Sequence, residues 1–558
     1  MSRHVLAILG AVACTSATVD PAHKDRVHAE DTGHTDSGGA DDTAEPPAPE
    51  TCAPPSLRLV AEFGHMELAD VSAFDPPVAL ASCGWGLAAV DLNGDGAVDL
   101  LPLGHTDPTR ALINRDGTLV PSDEIQFDGG SMPAANGVGV GDIDGDGLPD
   151  LAILRSTGQR DLIFTNQGDG RFTSVELPES DEESQDAAFF DADLDGDLDL
   201  YVSRHMDIWD TVTPEIAAGS RRGATNRLYL NEAGVLVEAE TAGVTDAASF
   251  QAVPIDADRD GDLDLYVVND FGMFIAPNSL LINDGTGSFS DASDCGCDLE
   301  MFGMGATASD FNNDGFVDLN ITDFGSPRTL MGMGDGTFVD ATAASGALIS
   351  PSAERVTSWG TAFIDLDQDG WDDMVTAFGP VLVGLDGDWA DTVDHPAVND
   401  LDDSAEQVNV FFHNREGRFE DRSTEAGFDL LGASRALVTA DFNRDGVPDV
   451  AISGMDSDLR QVVRIYQGEG GCGPGVTVAF PERAAGDVGT RVEWSVGGEQ
   501  YTRWYQPGTT FSVSGPTLHL GLGGLPSADI VRITPVGGEP VEYVDVGAGT
   551  RLDQRSYQ

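Results

Sequence analysis

Nine residues, Asp310-Phe-Asn312-Asn-Asp314-Gly315-Phe-Val-Asp318, set a pattern that recurs seven times in this chain. The copies start at Asp91, Asp142, Asp191, Asp256, Asp310, Asp365 and Asp441, always with Gly at the sixth position and Asp at the ninth. Oxygen side chains at positions 1, 3, 5 and 9, with Gly at the sharp turn, are what a hard cation such as Ca²⁺ requires of a short loop. One Asp-rich turn would carry little weight, but seven in register make chance negligible. The pattern predicts up to seven Ca²⁺ ions. Their side-chain ligands would be Asp91, Asn93, Asp95 and Asp99; Asp142, Asp144, Asp146 and Asp150; Asp191, Asp193, Asp195 and Asp199; Asp256, Asp258, Asp260 and Asp264; Asp310, Asn312, Asp314 and Asp318; Asp365, Asp367, Asp369 and Asp373; and Asp441, Asn443, Asp445 and Asp449.

An EF-hand loop opens the same way but closes with a bidentate Glu at position 12, between two helices. Here position 12 is Pro102, Ile153, Val202, Val267, Ile321, Thr376 or Ile452, so no carboxylate stands there. Each loop instead leads into a short apolar run such as Asp199-Leu-Tyr-Val-Ser203, which reads as a buried strand.

Successive loops start 51, 49, 65, 54, 55 and 76 residues apart, a period typical of propellers and solenoids. Within each period a Gly-rich strand A, such as Gly303-Met-Gly-Ala306, enters the loop and strand B leaves it. Strand C follows, as in Asn278-Ser-Leu-Leu-Ile282 or Val408-Asn-Val-Phe-Phe412, and then strand D, as in Gly336-Thr-Phe338-Val-Asp340. Four antiparallel strands in seven units predict an all-β, seven-bladed β-propeller with the Gly-rich strands innermost, where converging backbones leave little room. The seventh unit stops after its C strand, Val462-Val-Arg-Ile-Tyr466, while the chain begins with an unpaired D-like strand, Leu57 to Phe63. Closure by that N-terminal strand removes two open sheet edges, which favours a ring over a linear solenoid.

The formal charge of −67, from 96 acidic and 29 basic residues, excludes a general nucleic-acid or anionic-membrane binder. Residues 1–14 carry Arg3, an apolar stretch from Val5 to Ala13 and then Cys14, an export signal too short to span a bilayer. Ala11-Val-Ala-Cys14 resembles a bacterial lipobox, with Ala11 where Leu is usual, and makes Cys14 the candidate lipid anchor; Ala11-Val-Ala13 also satisfies ordinary signal cleavage. The protein is therefore expected to be exported, either as a bacterial outer-membrane or cell-surface lipoprotein or as a secreted protein, with membrane contact only through that lipid. Residues 15–55 have almost no large apolar side chain and read as a disordered acidic tether. The propeller is expected over 56–471 and a small β domain over 472–558. In an oxidising compartment, closure of the last blade brings Cys52 and Cys472 to one C-to-D turn, which predicts a disulfide between them. Cys295 and Cys297 form a local pair and leave Cys83 free, or all remain thiols.

The repeats resemble FG-GAP/VCBS repeats of the integrin α-subunit propeller type. Phe302-Gly-Met-Gly-Ala306, Leu265-Tyr-Val-Val-Asn-Asp-Phe271 and Asn226-Arg-Leu-Tyr-Leu-Asn231 resemble in particular the cartilage acidic protein (ASPIC/UnbV) family, in which a small β domain follows the propeller. Gly489-Thr-Arg-Val492, Leu518-His-Leu-Gly-Leu-Gly523 and Val531-Arg-Ile-Thr-Pro-Val-Gly-Gly538 are similar to that domain's blocks, with Thr534-Pro535 in place of the usual Trp-Pro. The resemblance implies fold and metal binding and carries no chemistry to transfer.

The motifs that announce a hydrolase, Gly-x-Ser-x-Gly, His-Glu-x-x-His or a phosphate loop, are missing, and His519 alternates with apolar residues as a packed strand residue does. The expected function is an adhesion or ligand-binding module for an extracellular protein or glycan; the alternative is an exported hydrolase or lyase on a propeller scaffold, recognised by an uncoordinated His or carboxylate in a pocket near the axis. Because the metal loop joins A to B, the B-to-C and D-to-A connections emerge on the other face. Two long insertions there, Arg204 to Thr225 and Gly379 to Gln407, carry Trp209, Arg221, Arg222 and Trp389, and Phe274 lies in the fourth unit on the same side. Trp and Arg are enriched in interface hot spots, so these five are the candidate partner-binding residues.

Overall fold

A computed structural model of the protein describes residues 52–66, 85–104, 110–128, 135–155, 159–178, 183–206, 223–239, 246–292, 294–349, 355–380, 407–455 and 461–553. Cys14 and residues 15–51 lie outside them, as do Cys83, Trp209, Arg221, Arg222 and Trp389. Among the described residues no helix is long and apolar enough to cross a membrane.

Each nine-residue loop turns one strand back on the next, and the strands gather into seven antiparallel sheets of the order A-B-C-D. The third, for example, is Glu183–Phe190, Asp199–His205, Arg227–Asn231 and Leu236–Glu238. Their A strands touch in sequence, and that of the seventh sheet, Leu431–Ala440, returns to that of the first, Leu87–Val90. This is an all-β propeller, and each sheet is a blade. The outer strand of blade seven is the N-terminal Ala53–Met66, antiparallel to Gln461–Gly471 with Leu57 opposite Gly468. The strand thus starts inside the stretch expected to be tether. A second difference concerns Val408: Gln407–Val408 pairs with the A strand of blade seven, and only Val410–Asn414 is the C strand of blade six.

The glycines of the A strands answer to crowding. A Cβ on Gly137 would lie 1.9 Å from the Gln185 carbonyl oxygen of the next blade, and one on Gly139 would lie 2.8 Å from the Ala187 Cβ. Cys52 and Cys472 form a disulfide where the first strand joins the last, and Cys295 and Cys297 form another. The 52–472 bridge closes a loop of 420 residues around the ring. Cys52→Ser is expected to lower unfolding free energy by about 2–4 kcal/mol, read by denaturant melts with and without reductant; with reductant, which also opens Cys295–Cys297, wild type and variant should match.

Residues after 472 build two further sheets. One contains Val476–Ala479, Thr517–Leu520 and Arg551–Asp553; the other contains Arg491–Val496, Glu499–Trp504, Ser527–Thr534 and Val541–Gly547. Their shared core includes Val478, Phe480, Trp494, Tyr505, Leu520 and Val531. The unit does more than follow the propeller. Its hairpin, Gly508–Thr509 and Ser512–Val513, enters the ring and joins the sheet of blade one, with Val513 beside Ala88. Val138 N–H donates to the Phe511 carbonyl at 3.1 Å and Leu87 N–H to Ser512 Oγ at 2.9 Å. The Phe511 ring lies 5.7 Å from Phe250 and 6.2 Å from Trp359, inside an apolar cluster shared by the inner strands.

Candidate metal centres

Two residues of each loop make its tight turn. The sixth, always Gly, has positive φ (82° at Gly96, 98° at Gly261), which only Gly adopts without strain. The carboxylate at position 1 receives the turn's amides: Asp310 Oδ1 accepts from Asp314 N–H at 2.9 Å and Oδ2 from Gly315 N–H at 2.8 Å. Position 9 ties the loop to strand C. Asp99 Oδ2 accepts from Leu92 N–H at 3.0 Å and Oδ1 from Asn114 N–H at 2.7 Å, and the same pair of contacts recurs at Asp150, Asp199, Asp264, Asp373 and Asp449. The amide that answers it often belongs to an Asn whose side chain then reaches the preceding blade. Asn231 Nδ2 donates to the Ile143 carbonyl at 2.8 Å, and Asn114 Nδ2 donates across the closure to Phe442 at 2.8 Å.

Four loops bring three carboxylate oxygens within 4.8 Å of one another: Asp142, Asp144 and Asp146; Asp191, Asp193 and Asp199; Asp256, Asp258 and Asp260; and Asp365, Asp367 and Asp369. The other three loops carry Asn at position 3, and there the amide relieves the repulsion: Nδ2 of Asn93, Asn312 and Asn443 donates to Asp95, Asp314 and Asp445 at 3.0, 2.9 and 2.8 Å. Burial and neighbouring carboxylates push the position-9 acids up. Asp99, Asp150, Asp199, Asp264 and Asp449 all reach about 7, with desolvation the larger cause. A divalent cation supplies the positive charge such a cluster lacks, and oxygen donors of this kind suit a hard ion. Buried oxygens of Asp193, Asp256 and Asp318 have no protein donor, as expected of atoms that face an ion.

The C-terminal unit lies on these loops. Arg503 is buried, with Nε 2.6 Å from Asp372 Oδ1 and Nη2 donating to the Gly370 carbonyl at 2.9 Å; its guanidinium stacks on Trp494. Gly521 N–H donates to Asp365 Oδ2 at 3.1 Å, and Asp142 N–H donates to the Arg483 carbonyl at 3.2 Å. His519, read from sequence as packed, is half-buried between Thr517 Oγ1 and the Gly446 carbonyl, and burial drives its pKa down to about 4. Between this unit and blade four lies a cleft of about 490 Å³ lined by Asp256, Asp260, Asp262, Arg491, Trp504 and Thr534.

On the other side of the ring, Phe274 is half-buried against Phe302, at 6.3 Å. Nearby, His205 Nε2 lies 3.4 Å from Asp270 Oδ2, both buried, with the imidazole 4.6 Å from the Phe250 ring. Sequence reasoning missed this pair, as it missed Arg503, because each partner comes from a different blade or domain.

A family model described as an FG-GAP-like repeat matches residues 91–153, 142–202, 256–321 and 310–376. No curated protein matches the sequence. Among solved structures the chain is similar to an Agrocybe aegerita lectin, in a structure of recognition of non-reducing terminal N-acetylglucosamine, at 15% identity over 65% of this chain and 85% of that one, TM-score 0.39. It is similar to the Dos1 propeller at 9% identity over 74% and 95%, TM-score 0.39, and to Trypanosoma rangeli sialidase at 11% identity over 64% and 60%, TM-score 0.34. With its A strands closed into a ring and four repeat matches threaded through blades one to six, the chain is a β-propeller that carries FG-GAP-like repeats over residues 91–202 and 256–376.

Proposed function

We propose that this protein is an exported, Ca²⁺-stabilised binding module whose partner, an extracellular protein or glycan, docks on the propeller face opposite the metal loops. One observation carries the reading: the C-terminal unit occupies the metal-loop face and drives Phe511 into the axis. The loops therefore serve as scaffold, and recognition falls to the B-to-C and D-to-A connections. Long loops on a rigid scaffold are the usual place for binding residues. The blocks resembling the ASPIC/UnbV domain lie in this cap, which supports the same family reading, and the lipobox-like Cys14 supports tethering at the cell surface.

The protein is read as not an enzyme. The His205–Asp270 pair is the motif that would favour a hydrolase or lyase, but both residues are packed under Phe250 and Phe271, and neither lines the cleft at blade four. A glycan and surface-protein array probed with the purified ectodomain tests the binding reading. Once a ligand is identified, Trp209→Ala and Trp389→Ala should each weaken it more than tenfold, about 1.4 kcal/mol, at unchanged melting temperature. Equal affinity in both variants would move the site to another surface.

A further inference from the structure

The sixth loop differs from the others in what faces it. The residue just before the C-strand amide that answers position 9 is Ile113, Thr165, Leu230, Ile282, Met331 or Gln467 in the other six blades. In blade six it is His413. Its imidazole lies among the carboxylates: Nδ1 is 2.9 Å from Asp373 Oδ1, and Nε2 is 3.9 Å from Asp367 Oδ2.

Three features make this a ligand set. Asp367, Asp373 and His413 are all buried, and each offers one donor atom within 4.8 Å of the other two. Asp367 is only 4% exposed, yet its Oδ1 has no hydrogen-bond partner. In the neutral tautomer that donates Nδ1–H to Asp373, Nε2 carries the lone pair, and its 3.9 Å separation from Asp367 Oδ2 is too long for a hydrogen bond but can be spanned by a first-row cation about 2.1 Å from each atom. A carboxylate on one imidazole nitrogen with the other turned to a metal is the usual way a histidine ligand is oriented. Asp367 also belongs to the loop's own set with Asp365 and Asp369, so it is the carboxylate that the two groups share.

We propose that the sixth loop is a mixed imidazole–carboxylate site that selects a first-row divalent cation, with Zn²⁺ as its representative, over Ca²⁺. Calcium takes oxygen ligands, whereas imidazole favours zinc and its neighbours. The site is also closed. The C-terminal unit covers it through Gly521 N–H on Asp365 and through Gly475, where a Cβ would meet Gln368 Oε1 at 2.4 Å, so a bound ion exchanges slowly. The inference rests on the metal-loop reading only in treating the loop carboxylates as ligands.

The test equilibrates the stripped full chain with millimolar Ca²⁺ and a slight excess of Zn²⁺, removes free ions, and counts both metals by mass spectrometry. Wild type should retain about one Zn²⁺ per chain. His413→Leu, which installs the residue blade three uses at Leu230, and His413→Gln, which installs that of blade seven, should retain less than a tenth of it at unchanged calcium content. Co²⁺ in place of Zn²⁺ should give visible d–d absorption in wild type only. No retained Zn²⁺ in wild type, or equal Zn²⁺ in both variants, would overturn the proposal and leave His413 as an ion-pair partner of Asp373. Zinc retained with no calcium anywhere would instead overturn the calcium reading of the other loops and leave this one standing.

Discussion

Chelating divalent cations from the full chain should lower its melting temperature by roughly 10 °C, and the chelated protein should melt lower still as pH rises from about 4 to 7. A site held at ten times its Kd adds about 1.4 kcal/mol, so seven add about 10 kcal/mol. Spread over the unfolding entropy of about 500 residues, at about 2.1 cal/mol/K each, that is roughly 10 °C. The pH dependence follows from the acids at position 9. Burial holds Asp99, Asp150, Asp199, Asp264 and Asp449 at about 7, above their unfolded value. A carboxyl raised on folding contributes stability below its unfolded pKa and loses it as pH climbs through the folded one, so the chelated protein weakens over about pH 4 to 7. The cation-loaded protein should show the opposite slope, because metal binding requires the deprotonated acids. Scanning calorimetry at several pH values, with calcium and with chelator, checks both slopes; an unchanged melting temperature on chelation would remove the metal role.

The second large effect comes from Arg503→Met. The arginine and Asp372 are both buried, and Asp372 also accepts a hydrogen bond from Ser309 Oγ. Removing one member of a buried pair leaves the other charge uncompensated, which costs about 3–5 kcal/mol. Because Arg503 also donates to the Gly370 carbonyl, the loss should loosen the C-terminal unit from blade six. Hydrogen exchange should rise at Trp504–Gly523 more than in blades two and three. Uniform exchange across the molecule would mean that the pair stabilises the fold without holding the cap.

Much of the ring was legible because its cause is local. Gly at position 6 needs positive φ, Asp at position 9 must meet two amides, and strand periodicity does the rest; the placement of Ala53–Met66 against Gln461–Gly471 followed from an unpaired strand at each end. The cap was not legible. Thr509-Thr-Phe-Ser-Val513 reads like any short strand, and nothing in its spacing says that Phe511 belongs in another domain's core. His413 was hidden for a related reason: in Val410-Phe-Phe-His-Asn414 it alternates like a packed residue, and only the register that places Asn414 on Asp373 reveals the carboxylates around it. The same register shows Asn231 and Asn114 as clasps between blades, a role that the repeat alone does not display.

The central claim is that the nine-residue loops are cation sites that hold the ring together. Anomalous diffraction from crystals grown in millimolar calcium tests it most directly. The account predicts ion density in the loops, coordinated by the side chains at positions 1, 3 and 5, as at Asp142, Asp144 and Asp146. Empty loops, with the position-1 carboxylates still held by the turn amides alone, would contradict it.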